Sequence, residues 1–186
     1  MMTVLSATQR AGTLSSGCIE ADISLPAVEA AKTGPPKLVR YGRGSPFIDI
    51  QLPCGGGLDI LLVPRPDRSA LATVMDNRAA RQPCSLVIDM NSGALEVVDT
   101  GATGRNGSDL TVRFEPDIRF LIFGKGPEAS TFAGLVQSAG YPNTLLSPDH
   151  ETLDHGAATG CDTCHIRDAA FPSDLSVDDR TAVVLF

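Results

Sequence analysis

The stretch Gly124-Lys125-Gly126-Pro127-Glu128-Ala129 constrains this chain more than any other. It follows the apolar run Arg119–Phe123, which reads as a short strand, and opens a segment where Phe132, Leu135 and Val136 predict a buried helical stripe. Gly-x-Gly-x-x-Ala at a strand-to-helix turn is the dinucleotide fingerprint. Its glycines allow a tight turn and close backbone approach, and its small third residue lets helix and strand touch. The helix N-terminus there offers free N–H groups and its dipole to a diphosphate. Gly140 closes the helix, residues 143–146 read as a second strand, a long polar stretch follows, and residues 181–186 read as a third. These elements predict half of a doubly wound parallel sheet.

The acid that holds a ribose belongs at the end of the second strand, where this chain offers Ser147-Pro148-Asp149. Two readings of Gly124, Gly126 and Ala129 therefore stay open: nucleotide binding, as in an NAD(P)-dependent oxidoreductase, or helix–strand packing. A hydrolase or NTPase reading has no Gly-x-Ser-x-Gly, Walker or His-Glu-x-x-His motif to rest on.

Ahead of the fingerprint the chain reads as small elements. Residues 18–32 have near-helical spacing with Pro26 inside and Gly34-Pro35-Pro36 as a stop. Residues 37–41 are strand-like, 47–52 alternate partially, and 58–63 form an apolar run. Pro64-Arg65-Pro66 marks a boundary; residues 69–81 then look helical, and 85–89 and 95–98 form a hairpin through Asn91-Ser92-Gly93, followed by a strand at 110–114. The expected fold is α/β: a small mixed α/β N-terminal domain (1–66), a helix and β-hairpin connecting region (67–116), and an incomplete Rossmann-like parallel half-sheet (117–186).

Five cysteines at irregular spacing read as thiols or ligands rather than a disulfide framework. Cys84 precedes a strand and is a core residue. Ser15-Ser16-Gly17-Cys18, followed by Glu20, and Pro53-Cys54-Gly55-Gly56-Gly57 each place a thiol on a glycine loop. There backbone can approach a ligand, successive N–H groups can form an anion-binding nest, and sulfur can meet a soft metal. The plainer alternative is a pair of glycine turns beside small cysteines.

A third cluster lies in the polar stretch, where His150, His155 and His165 share the chain with Cys161 and Cys164. Two thiolates at Cys-x-x-Cys spacing plus His165 and one further histidine could close a zinc tetrahedron. Redox pairing of the thiols and a loop without any ion are the alternatives.

Net charge decides between classes of partner. At −7, with the 15 Lys and Arg residues scattered, the chain lacks the basic face of a nucleic-acid binder. No apolar run approaches the roughly 20 residues that span a bilayer, and residues 1–10 lack an export pattern, so the expectation is a cytoplasmic protein without membrane association. An open half-sheet exposes strand edges, which predicts a homodimer that covers them.

The segments Gly17-Cys18-Ile19-Glu20-Ala21 and Leu52-Pro53-Cys54-Gly55-Gly56, followed by Phe123-Gly124-Lys125-Gly126-Pro127, resemble the XdhC/CoxI family, accessory factors of molybdenum hydroxylases such as xanthine dehydrogenase. Ser16 stands where the family usually has glycine, Ser147-Pro148-Asp149 replaces its usual Asp-x-Arg, and both ends look short. The resemblance implies binding of molybdenum cofactor (molybdopterin), help in its sulfuration, and delivery to a xanthine dehydrogenase-type hydroxylase, with a cysteine desulfurase as sulfur source. It makes Gly17, Cys18, Glu20, Cys54, Gly55 and Gly56 the candidate cofactor contacts, beside the Gly124 loop. The chain then acts as a cofactor chaperone rather than a turnover enzyme. The NAD(P)-dependent oxidoreductase and a non-enzymatic metal-binding module are its rivals.

Overall fold

The computed structural model describes residues 1–15, 17, 19–46, 52–167, 171–173 and 175–186. The chain divides into two compact units, Met1–Phe114 and Glu115–Phe186.

In the first unit the elements run β1 (Met2–Val4), β2 (Arg10–Gly12), α1 (Glu20–Thr33), β3 (Lys37–Gly42), β4 (Gly57–Leu62), α2 (Arg68–Ala79), β5 (Cys84–Asp89), β6 (Leu95–Val98), β7 (Gly104–Asn106) and β8 (Asp109–Phe114). Strands β1 and β2 pair antiparallel, as do β3 and β4, where Val39 lies opposite Ile60 and Tyr41 opposite Leu58. Ile19, Ile23 and Ala30 recur on one helical face and pack with Val39, Tyr41, Ile60 and Leu62 in a single core. Burial of this apolar set is the main force holding α1 to the β3–β4 pair. Pro26 lies inside α1, and Gly34, at φ 97°, ends it in a conformation only glycine adopts without strain. The buried Tyr41 hydroxyl donates to the Asp22 carboxylate and so ties the first turns of α1 to β3. A second core joins Ala70 and Val74 of α2 to Cys84, Leu86 and Ile88 of β5, which sits centrally in the antiparallel sheet β6-β5-β8-β7. Cys84 is the core residue its position suggested. The partial alternation at 47–52 falls on residues that, apart from Leu52, lie outside the described ones.

The second unit runs β9 (Arg119–Phe123), α3 (Pro127–Ser138), β10 (Asn143–Ser147), α4 (His150–Ala158), β11 (Asp162–His165) and β12 (Thr181–Leu185). Its strands are parallel in the order β11-β10-β9-β12, the arrangement of a doubly wound half-sheet. The architecture is thus α/β with a Rossmann-like parallel sheet, with four strands rather than the expected three. The polar stretch holds α4 and β11. Asp149 caps α4 by accepting from the Thr152 N–H at 2.9 Å, and β11 pairs with β10 on one side. The stripe on α3 also differs from expectation. Ala129, Ala133 and Val136 are buried at i, i+4 and i+7, with Phe132 packed against them, whereas Leu135 is 64% exposed. Small alanines let the helix backbone approach the sheet, which turns Leu135 outward.

Candidate functional site

Glu20 is the first residue of α1 and only 6% exposed, and the loop before it folds around its carboxylate. One oxygen accepts from the Thr13 hydroxyl (2.8 Å) and the N–H groups of Leu14 (2.8 Å) and Ser15 (2.7 Å). The other accepts from the Ser15 hydroxyl (2.8 Å) and the N–H groups of Gly17 (2.9 Å) and Ile19 (3.2 Å). A carboxylate offers about four lone-pair sites, so this one is saturated by its own loop. The Ser15 and Leu14 N–H groups are the chief reasons its pKa lies well below the usual carboxylate range, with burial opposing them. At the Gly17 loop the converging N–H groups thus hold an anion that the chain itself supplies. Cys18 lies outside the described residues; its neighbours Gly17 and Ile19 both donate to Glu20.

The second thiol loop is open. Cys54 is free and exposed at a turn closed by the Gly55 N–H donating to Leu52 O at 2.8 Å. Gly55 has φ 67°, which strains any side chain. The carbonyl of Gly56 accepts from the Arg43 N–H at 2.8 Å, and a Cβ on Gly42 would sit 2.3 Å from that carbonyl oxygen, so the turn leans directly on the end of β3. Leu52 packs against the core that contains Ile19. The Cys54 turn and the Glu20 loop are thus anchored on the same apolar cluster.

The fingerprint loop is knitted to the next strand-to-helix turn. The Gly126 N–H donates to the Thr152 hydroxyl at 2.8 Å, and that hydroxyl donates to Asp149 at 2.6 Å. The Thr152 hydroxyl and N–H hold the Asp149 carboxyl below its usual range. A Cβ on Gly124 would meet the Cβ atoms of Phe186 at 2.7 Å and Ala129 at 2.9 Å, and Ala129 is fully buried. Close packing accounts for Gly124 and Ala129, and Thr152 takes up the Gly126 donor. Ser147, at the ribose position, is buried, and its hydroxyl accepts from the Asp149 N–H at 3.1 Å.

The histidines and cysteines of the second unit do not all converge. Cys161 is buried in the core with Ile122 and Leu145, where burial pushes its thiol pKa up. Thr163 of β11 shares the α4 side with Cys161, which precedes the strand, so Cys164 faces the opposite side of the sheet by strand alternation and is half-buried. His150 and His165 stack with ring centroids 4.5 Å apart, while His155 lies five residues from His150, well round the helix, and is exposed. Among the described residues, no three His, Cys, Asp or Glu side chains gather closely enough to hold a metal ion. Thr13 and Thr152, which organise the two glycine loops, carry no motif. The only hint of Thr152 is its place at the third position after the capping Asp149.

Comparison with known proteins follows the order of these elements. Residues 1–42, which contain the Glu20 loop, α1 and β3, match the XdhC and CoxI family. Over 136 residues, 73% of this chain, the sequence is 35% identical to the molybdenum cofactor insertion chaperone PaoD of Escherichia coli strain K12. This chain covers 43% of that relative, less than half its length. The fold is shared with a solved structure described as a xanthine dehydrogenase from Bacillus halodurans. The TM-score is 0.74 at 19% identity, across 99% of this chain and 63% of that one. The chain is thus similar to the XdhC and CoxI family over its first 42 residues, and its two thiol loops and doubly wound half-sheet follow in the order the sequence resemblance implied.

Proposed function

We propose that this protein receives molybdenum cofactor as cargo, assists its sulfuration, and passes it to a xanthine dehydrogenase-type molybdenum hydroxylase. The similarity to a molybdenum cofactor insertion chaperone carries this reading. The first unit supplies chemistry that suits it: an exposed free thiol at Cys54, on a glycine turn whose backbone a ligand can approach. Cys18 is its companion thiol, and Gly55 and Gly56, lacking side chains, let the cargo approach the turn closely. Sulfur comes from a cysteine desulfurase, the protein acts in the cytoplasm as a homodimer, and it turns over no small metabolite of its own.

Purified protein incubated with molybdenum cofactor should retain molybdenum and pterin through desalting. Cys54→Ala should weaken retention about tenfold, the weight of one lost strong contact, while Cys84→Ala, in the other core, leaves it unchanged. Equal loss in both folded variants sinks the assignment of the Cys54 turn.

A further inference from the structure

We propose that Glu20 is a positioning residue: a built-in anion around which the Thr13–Ile19 loop closes, setting the backbone on either side of Cys18 without touching the cargo. The distribution of donors carries this. Thr13, Leu14 and Ser15 converge on one carboxylate oxygen, and Ser15, Gly17 and Ile19 on the other, so one oxygen gathers the start of the loop and the other its end, with Ser15 reaching both. The Ser15 hydroxyl also accepts from the Ile19 N–H at 3.1 Å, which crosses the two halves. Both are then fixed to the first residue of α1, whose neighbour Ile19 is locked in the core. A saturated carboxylate at 6% exposure has no lone pair directed outward for a ligand. The same N–H groups, aimed inward at Glu20, are not available to a phosphate of the cargo.

Neutral replacement tests the idea with no cargo present. Glu20→Gln keeps the shape of the side chain, but its NH2 group must face N–H donors. Amide exchange at Leu14, Ser15, Gly17 and Ile19 should lose at least about tenfold protection in this variant, while Val39, Tyr41 and Ile60 in the β3–β4 pair keep theirs. Glu20→Ala leaves a space the size of acetate. Sodium acetate, but not sodium chloride at equal ionic strength, should restore protection of those four amides and, in parallel, restore molybdenum cofactor retention. A purely structural cavity effect is not rescued by the anion. Three results overturn the proposal: unchanged amide protection in Glu20→Gln, loss of cargo retention in Glu20→Gln with the loop amides still protected, or collapse of the β3–β4 amides in Glu20→Gln. Acetate that restores the amides without restoring cargo retention leaves the positioning role intact and breaks the proposed function instead.

Discussion

The two glycine loops at helix N-termini, one before α1 and one before α3, solve the same problem with different chemistry. Each presents backbone N–H groups just ahead of a helix that need an acceptor. Before α1 these groups meet a full negative charge from Glu20 directly, and before α3 the Gly126 N–H meets a neutral hydroxyl that passes the demand on to Asp149. Charge-assisted bonds are roughly twice as strong as neutral ones, so the first loop is held more firmly than the second. The contrast also teaches that a glycine-rich turn is not by itself an empty anion site. Of the three such turns in this chain, the one at Cys54 has its thiol exposed and its loop free of an internal anion among the described residues.

Removing the charge at Glu20 should therefore produce the largest effect, and acid should modulate it. A carboxyl whose native pKa is lowered contributes stability that is complete above its ordinary value of 4.5 and declines as pH falls below it. Urea midpoints of the wild type and Glu20→Gln should differ most at neutral pH, and the gap should shrink progressively below about pH 4.5. A gap that widens in acid breaks the comparison.

Thr152→Val comes next, because it leaves the Gly126 N–H without its acceptor while removing a donor to Asp149. That bond is only partly buried, so its loss should cost about 1 kcal/mol, whereas Thr152→Ser keeps the hydroxyl and should stay close to the wild type. Denaturant titration of both variants reads the difference. If valine costs as little as serine, the relay through the hydroxyl does not hold the second loop.

The same occupancy bears on nucleotide. With the Gly126 donor taken up by Thr152 and Ser147 engaged with Asp149, NADH should give no micromolar calorimetric signal. A clear micromolar titration would promote the oxidoreductase reading and show that the relay opens readily.

The smallest effect concerns thiol chemistry. Among the described cysteines, alkylation should proceed fastest at exposed Cys54, slower at half-buried Cys164, and slowest at Cys161 and Cys84, which are buried. Stoichiometric zinc that protects Cys161 and Cys164 together would require them to reach one ion from opposite faces of β11, and would overturn the placement described above.

Much of this fold is legible in the sequence where apolar residues recur with a clear period. Helix α1 and its stop at Gly34, the β5–β6 hairpin and the β9–α3 turn are such places. Helix α4 is less legible because its nine residues bury only Thr152, Leu153 and Gly156. Strand β11, Asp162-Thr163-Cys164-His165, is an edge strand that pairs on one side and carries no apolar alternation. Leu135 misled for a related reason: hydrophobicity draws the stripe through the largest side chain, while close helix–sheet approach selects Ala129 and Ala133. At the candidate site, the pattern Gly-Cys-x-Glu marks a carboxylate near a glycine loop. It does not say whether that carboxylate faces a ligand or its own backbone, because the deciding donors, Thr13 and Leu14, sit outside the pattern.

The bond between Tyr41 and Asp22 has an optical consequence. The chain has no tryptophan and two tyrosines, so its ultraviolet emission comes from Tyr41 in the first unit and Tyr141 in the second. A phenol bound to a carboxylate is strongly quenched, because the excited ring gives up its proton to the acceptor. Tyr141, exposed at the edge of the Phe120 ring, has no such partner described. Native protein should therefore glow mainly from the second unit, and release of α1 from β3 should brighten it. That makes one dye-free fluorescence trace a selective gauge of whether the Glu20-anchored helix is still in place.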